Sequence, residues 1–101
     1  MPEHRYKIVT TKYFDKKLAK LLNSLPDLAQ VINEIIIKLS INPWDPSLKT
    51  HKVNAIVSKD KVRSSSVTGD IRIIWDFDEN NNLIIVMLTI GSHSGSNKVY
   101  K

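Results

Sequence analysis

The chain of 101 residues has no cysteine, which removes disulfide frameworks, thiolate metal sites and thiol nucleophiles together and suits a reducing compartment. No hydrophobic run near its start has the shape of a signal peptide, and no apolar stretch approaches the ~20 residues of a membrane span. A cytoplasmic protein with no membrane partner is therefore expected. Internal repeats and low-complexity segments are also missing. A chain this short supports one hydrophobic core, so residues 1–101 are read as a single domain. No motif clusters carboxylates with histidines, so neither a cofactor nor a dedicated metal site is expected.

Acidic residues are the other shortage. Lys and Arg number 15 against 10 Asp and Glu, and the resulting +5 favours an anionic partner, nucleic acid being the commonest. The imbalance is local. Lys49, Lys52, Lys59, Lys61 and Arg63 face only Asp60 across the same stretch, whereas Asp76, Asp78 and Glu79 collect further on. A basic middle and an acidic corner would orient a bound polyanion.

The chain is rich in apolar runs with readable periods. Ile71 to Phe77 and Leu83 to Ile90 are β-branched and aromatic, joined by a polar Asp/Glu/Asn turn, and predict a β-hairpin with a slightly long loop. Both alternating sets of the second run, Leu83/Ile85/Met87/Thr89 and Ile84/Val86/Leu88/Ile90, are nearly all apolar, so both faces of that strand need cover. Arg72 interrupts the first run, and His93 follows where the last strand runs out at Gly91. A rigid sheet holding an Arg and a His at its rim is a place for chemistry on a phosphate.

Upstream, Arg5 to Thr10 alternates weakly and predicts a short edge strand. Phe14, Leu18, Leu21, Leu22 and Leu25 form one stripe at helical spacing from Lys12 to Leu25, with Thr11 as its cap and Lys16, Lys17 and Lys20 facing outward. Ser24 and Asp27 around Pro26 match a capping box that starts a second helix. Its apolar face is Leu28, Val31, Ile32, Ile35, Ile36 and Leu39, and Asn42-Pro43 stops it. After the PWDPS turn, strands are predicted over Leu48 to Val53 and Asp60 to Val67; in the second, Lys59, Lys61 and Arg63 at spacing two project from one face. Trp44 and Trp75 are read as core or rim packing. The order β, α, α, then four consecutive strands gives an α+β fold, with an antiparallel helical hairpin on one face of a mainly antiparallel sheet.

This order, with NPWDPSLKTHKV after the second helix, RSSSVTGDIRIIWDF, IVMLTIGSH and a final KVY, resembles the RelE/ParE superfamily of toxins from type II toxin–antitoxin systems. The resemblance runs nearly end to end. Its most specific parts are the Arg-Ile-Ile-Trp strand, the Ile-Gly-x-His step and the terminal Val-Tyr. Within the superfamily the His after the last strand looks like the YafQ, YoeB and HigB branches, which implies a ribosome-dependent mRNA endonuclease that cuts without a metal through the RNA's own 2′-hydroxyl.

The resemblance implies roles for particular residues. Arg72 matches the strand arginine that holds the scissile phosphate. His93 stands where some branches carry a catalytic histidine, and Tyr100 corresponds to the tyrosine of the Val-Tyr pair. Lys59, Lys61 and Arg63 match a basic face that contacts RNA, with Lys52 and Lys98 counted beside them, and His51 resembles a histidine used as a base in the YafQ branch. No glutamate lies where the YoeB branch has its base. The partners implied are mRNA on the ribosome and a cognate antitoxin, in a hetero-oligomeric complex.

Cleavage through a 2′-hydroxyl needs a base, positive charge on the non-bridging oxygens and an acid for the departing 5′-oxygen. Histidine, with an ordinary pKa of about 6.5, suits the proton roles, and a guanidinium suits the clamp because it donates two bonds to one phosphate. His93 is thus the candidate acid, His51 the candidate base and Arg72 the clamp. Plainer alternatives stay open: Arg72 paired with Asp76 or Asp70, Tyr100 as an apolar plug, and the basic strand as a solvated face. At the level of function the alternatives are a non-catalytic ParE-like toxin that binds DNA gyrase, and a degenerate module that only binds antitoxin or RNA.

Overall fold

The structure, a computed structural model, describes residues 5–92 and 98–101. Its elements are β1 (Lys7–Thr10), α1 (Lys12–Ser24), α2 (Leu28–Ile41), a 3₁₀ turn (Pro46–Leu48), β2 (His51–Val53), β3 (Val62–Ser66), β4 (Ile71–Phe77) and β5 (Ile84–Ser92). The five strands form one sheet in the order β1-β5-β4-β3-β2. β2 to β5 run as an antiparallel meander, and β1 joins the free edge of β5 in parallel. Both the expected edge strand and the expected helical pair are present.

α1 starts at Thr11, whose Oγ1 accepts from the Phe14 amide at 3.0 Å, satisfying a donor that the first helical turn leaves free. The same hydroxyl donates to the Met87 carbonyl at 3.0 Å, so one side chain caps the helix and ties it to β5. The start of α2 is built differently from the capping box expected there. Asp27 already has helical angles and makes no side-chain cap bond, and Leu25, expected on the apolar stripe, is 48% exposed at the bend between the helices.

The helices bury Phe14, Ile32 and Leu39 against Ile73, Trp75, Ile85 and Met87 of the sheet, and Leu48 closes this core from the side. The opposite face carries a smaller cluster of Ala55, Val62, Ile74 and Val99. It is covered by the chain end. Tyr100 bridges to Ala55, the Ile56 amide donates to the Val99 carbonyl at 3.0 Å, and the Lys101 amide donates to the Asn54 carbonyl at 3.1 Å. Each face of the central strands is therefore covered, as their doubly apolar pattern requires.

Two predicted strands are shorter than expected. The stretch beginning at Leu48 becomes a strand only at His51, because Pro46–Leu48 tighten into the 3₁₀ turn and Lys49 follows in the left-handed region at φ 51°. Asp45 caps that turn, and its bonds from the Ser47 hydroxyl and amide hold its carboxyl below the usual carboxylate range. The strand expected from Asp60 begins at Val62, which leaves Lys59 and Lys61 in the preceding connection.

Candidate active site

The alternation along β4 decides where Arg72 goes. Ile71, Ile73 and Trp75 are committed to the helix-side core, so Arg72 between them emerges on the other face, opposite Ser66 on β3 and Gly91 on β5. Arg72 Nε and Nη1 are buried with no hydrogen-bond partner among the described residues. The expected alternative, a pair with Asp76, does not form, because Asp76 is bonded to Arg63 instead. A buried guanidinium edge in this state costs ~1–3 kcal/mol or more until an acceptor meets it.

His51 opens β2, and its position is fixed from behind. The Trp75 indole N–H donates to Ser65 Oγ at 2.8 Å, Ser65 Oγ lies 2.7 Å from Thr50 Oγ1, and Thr50 donates to the Pro43 carbonyl at 2.7 Å. With the Thr50 proton given to Pro43, Ser65 is the donor in the middle bond. This chain anchors the residue before His51 to the most buried aromatic ring of the core. The exposed His51 ring then turns Nδ1 to the Lys49 carbonyl at 2.8 Å, an oxygen whose approach follows from the left-handed backbone of Lys49. A carbonyl can only accept, so Nδ1 carries a proton, and in the neutral ring Nε2 holds the lone pair.

Tyr100 arrives from the chain end. Its hydroxyl lies 2.6 Å from Ser64 Oγ, a fully buried group directly opposite His51 in the β2–β3 register. His51 and Arg72 sit on strands two apart, about 10 Å across the sheet, and the phenol sits over the strand between them. His51, Val53, Asn54, Arg72, Tyr100 and Lys101 line one open depression of about 310 Å³. Three of the four residues expected to be catalytic therefore meet. His93, the fourth, lies outside the described residues.

The expected RNA-binding set is scattered by comparison. Arg63 does not project beside Lys59 and Lys61, so the single basic strand face does not form. Its guanidinium pairs with Asp76 and packs over Phe77, Trp44 and Trp75, with the guanidinium carbon 4.9, 5.7 and 5.9 Å from the three ring centres. The period-two reading failed because the strand begins only at Val62, and because the acid and rings that engage Arg63 come from distant segments. Lys52 is exposed opposite Arg63 in register and so leaves the sheet on the face away from His51. Lys98 is exposed in a separate hollow of about 150 Å³ that also includes Lys17, Ile56 and Val57. Trp75 is core, whereas Trp44 is a rim residue, 51% exposed.

Ser64 and the Lys49 carbonyl were missed by sequence reasoning. Alternation along RSSS places Ser64 on the Arg72 face, but the partner that gives it meaning, Tyr100, is 36 residues away. Lys49 carries no signal, since only its backbone acts.

No family model matches the sequence, and no curated protein matches it. Solved structures do. A mutant toxin from Helicobacter pylori, crystallised with copper bound, is 26% identical with a TM-score of 0.66, covering 87% of this chain and 94% of that one. The Escherichia coli DinJ–YafQ toxin–antitoxin complex matches with 16% identity and a TM-score of 0.65 over 88% of this chain and 93% of the other. The YoeB dimer from Staphylococcus aureus matches with 14% identity and a TM-score of 0.58 over 84% and 93%. The fold is that of these toxins, a two-helix layer on a mostly antiparallel five-stranded sheet with one parallel pair.

Proposed function

We propose that this chain, a RelE-type toxin by its fold, is the toxin of a type II toxin–antitoxin system and acts as a ribosome-dependent mRNA endonuclease inhibited by a cognate antitoxin. The observation that carries the reading is the shared depression, in which the Arg72 guanidinium, a histidine with a defined tautomer and a phenol converge. Each matches one need of 2′-hydroxyl chemistry. Arg72 lines the depression that takes the scissile phosphate, and its fixed charge opposes the charge that builds on the non-bridging oxygens. His51 Nε2 takes the 2′-hydroxyl proton, and the developing imidazolium is stabilised by the Lys49 carbonyl at Nδ1. Tyr100 adds a hydroxyl beside the phosphate. His93 is the acid for the 5′-oxygen. The antitoxin silences the enzyme by occupying this face, in keeping with the DinJ–YafQ neighbour, which is a toxin–antitoxin complex.

The test is induced expression of wild type and His93→Ala in cells, followed by primer extension on an abundant message. Discrete cuts within the translated region are expected for the wild type, with His93→Ala lowering cleavage by about 10² to 10⁴-fold. Unchanged cutting in the variant would remove His93 from the mechanism. Growth arrest without cuts would shift the reading to a gyrase-type target, which an assay of DNA supercoiling would then examine.

A further inference from the structure

We infer that Ser64 is a positioning residue that fixes the Tyr100 hydroxyl over the Arg72 depression; this rests on the nuclease reading above. Ser64 is fully buried on β3, so it cannot touch substrate, yet it faces the functional side of the sheet through its register with His51. A buried hydroxyl is costly unless its proton is used. The phenolic oxygen, 2.6 Å away, is the acceptor that the fold brings to it.

When Ser64 donates, the Tyr100 oxygen is held over the depression. The surroundings make this directional arrangement specific. Tyr100 is carried by a short terminal segment that is bonded to Asn54 and Ala55 but is not part of a regular strand. Ser64, by contrast, stands in the middle of the sheet between β2 and β4. The sheet thus sets the position of a hydroxyl that the chain end supplies. Ser64 also adjoins Arg63 and Ser65, whose side chains are engaged on the helix side, so the fold locks the alternation that aims it at Tyr100.

The test is single-turnover cleavage of a ribosome-bound message by purified wild type, Ser64→Ala, Tyr100→Phe and the double variant, with thermal melts on each. Ser64→Ala should lower the maximal cleavage rate roughly tenfold, the worth of one positioned hydrogen bond, with half-saturation unchanged. Because Ser64 works through Tyr100, Ser64→Ala should cost nothing further in the Tyr100→Phe background. Ser64→Thr, which keeps the hydroxyl, should recover part of the rate. Full activity in Ser64→Ala, or an equal loss with and without the Tyr100 hydroxyl, would overturn the inference while leaving the nuclease intact. A wild type that cuts no ribosome-bound message would overturn the nuclease reading itself. Should Ser64→Ala melt below the assay temperature, Tyr100→Phe breaks the same bond from the exposed side, and wild-type cleavage by that variant would leave Ser64 nothing to position.

Discussion

The two faces of the sheet are made from the same strands but solve different problems. The helix side buries Phe14, Leu39, Leu48, Trp75 and Met87, and Arg63 on that side is paired with Asp76 and covered by aromatic rings. On the other side there are four buried apolar residues, a covering segment from the chain end, and a cation whose buried nitrogens find no partner among the described residues. Two arginines nine positions apart thus have opposite fates. Arg63 finds Asp76 and three aromatic rings, with only its Nε left without a partner among the described residues, whereas both buried nitrogens of Arg72 lack one and its side chain lines the depression. Stability and function are separated by the period-two alternation of β3 and β4, which allows a test of each without the other.

The largest effect should come from Trp75→Ala. The indole is fully buried, packs edge-on against Phe77 with ring centres 5.2 Å apart and starts the hydrogen-bond chain to Pro43. A loss of about 3–5 kcal/mol is expected in chemical denaturation, and with a small domain's margin this would leave little folded protein. A variant that stays fully folded would show that the helix-side core is not where the stability resides.

Arg72→Ala should do the reverse. Cleavage should fall by about 10² to 10³, the cost of one lost electrostatic donor at a reacting phosphate. The melting temperature should hold or rise, since the change removes a buried group without a partner rather than a contact. Arg72→Lys should fail to restore the rate, because an ammonium cannot offer two parallel bonds to one phosphate. A drop in stability matching the drop in activity would break the division between the faces.

Ser65→Ala probes the link between them. It strands the Trp75 indole N–H and unties Thr50, so unfolding should become easier by about 1–3 kcal/mol. If the chain also places His51, cleavage should fall more than the folded fraction does. A loss of activity that merely tracks folding would mean that β2 holds His51 unaided.

Periodicity and turn chemistry made most of this fold legible. The stripe from Phe14 to Leu22, the Asn42-Pro43 stop and the doubly apolar Leu83 to Ile90 run each rest on local rules, and each corresponds to an element in the structure. Arg72 was legible as a candidate because a charged residue inside an apolar strand stands out, whereas His51 was legible only through the resemblance of its Lys-x-His step. Failures came where a distant segment decided. Asp76, Trp44 and Phe77 converge on Arg63 from three places in the chain, and no spacing rule assembles them. The partnership of Ser64 with Tyr100 joins β3 to the chain end and is equally invisible from the residues near either one.

Lys59 and Lys61 belong to neither face, and the smallest prediction concerns them. They are exposed in the connection between β2 and β3, with Asp60 between them, and among the described residues no ring or acid engages them as Arg63 is engaged. Side chains of this kind act on RNA through counterion release, at ~0.7 in the slope of log affinity against log salt for each charge set on a single strand. Replacing both by alanine should therefore flatten the slope for a single-stranded RNA by up to about 1.4, measured by fluorescence anisotropy across a salt series. The melting temperature should stay put, because exposed charges of this kind add little to stability. Maximal cleavage should hold as well, since neither side chain lines the Arg72 depression. An unchanged slope would make the connection a solvated loop and leave the depression's own cations, Arg72 and Lys101, to hold the RNA.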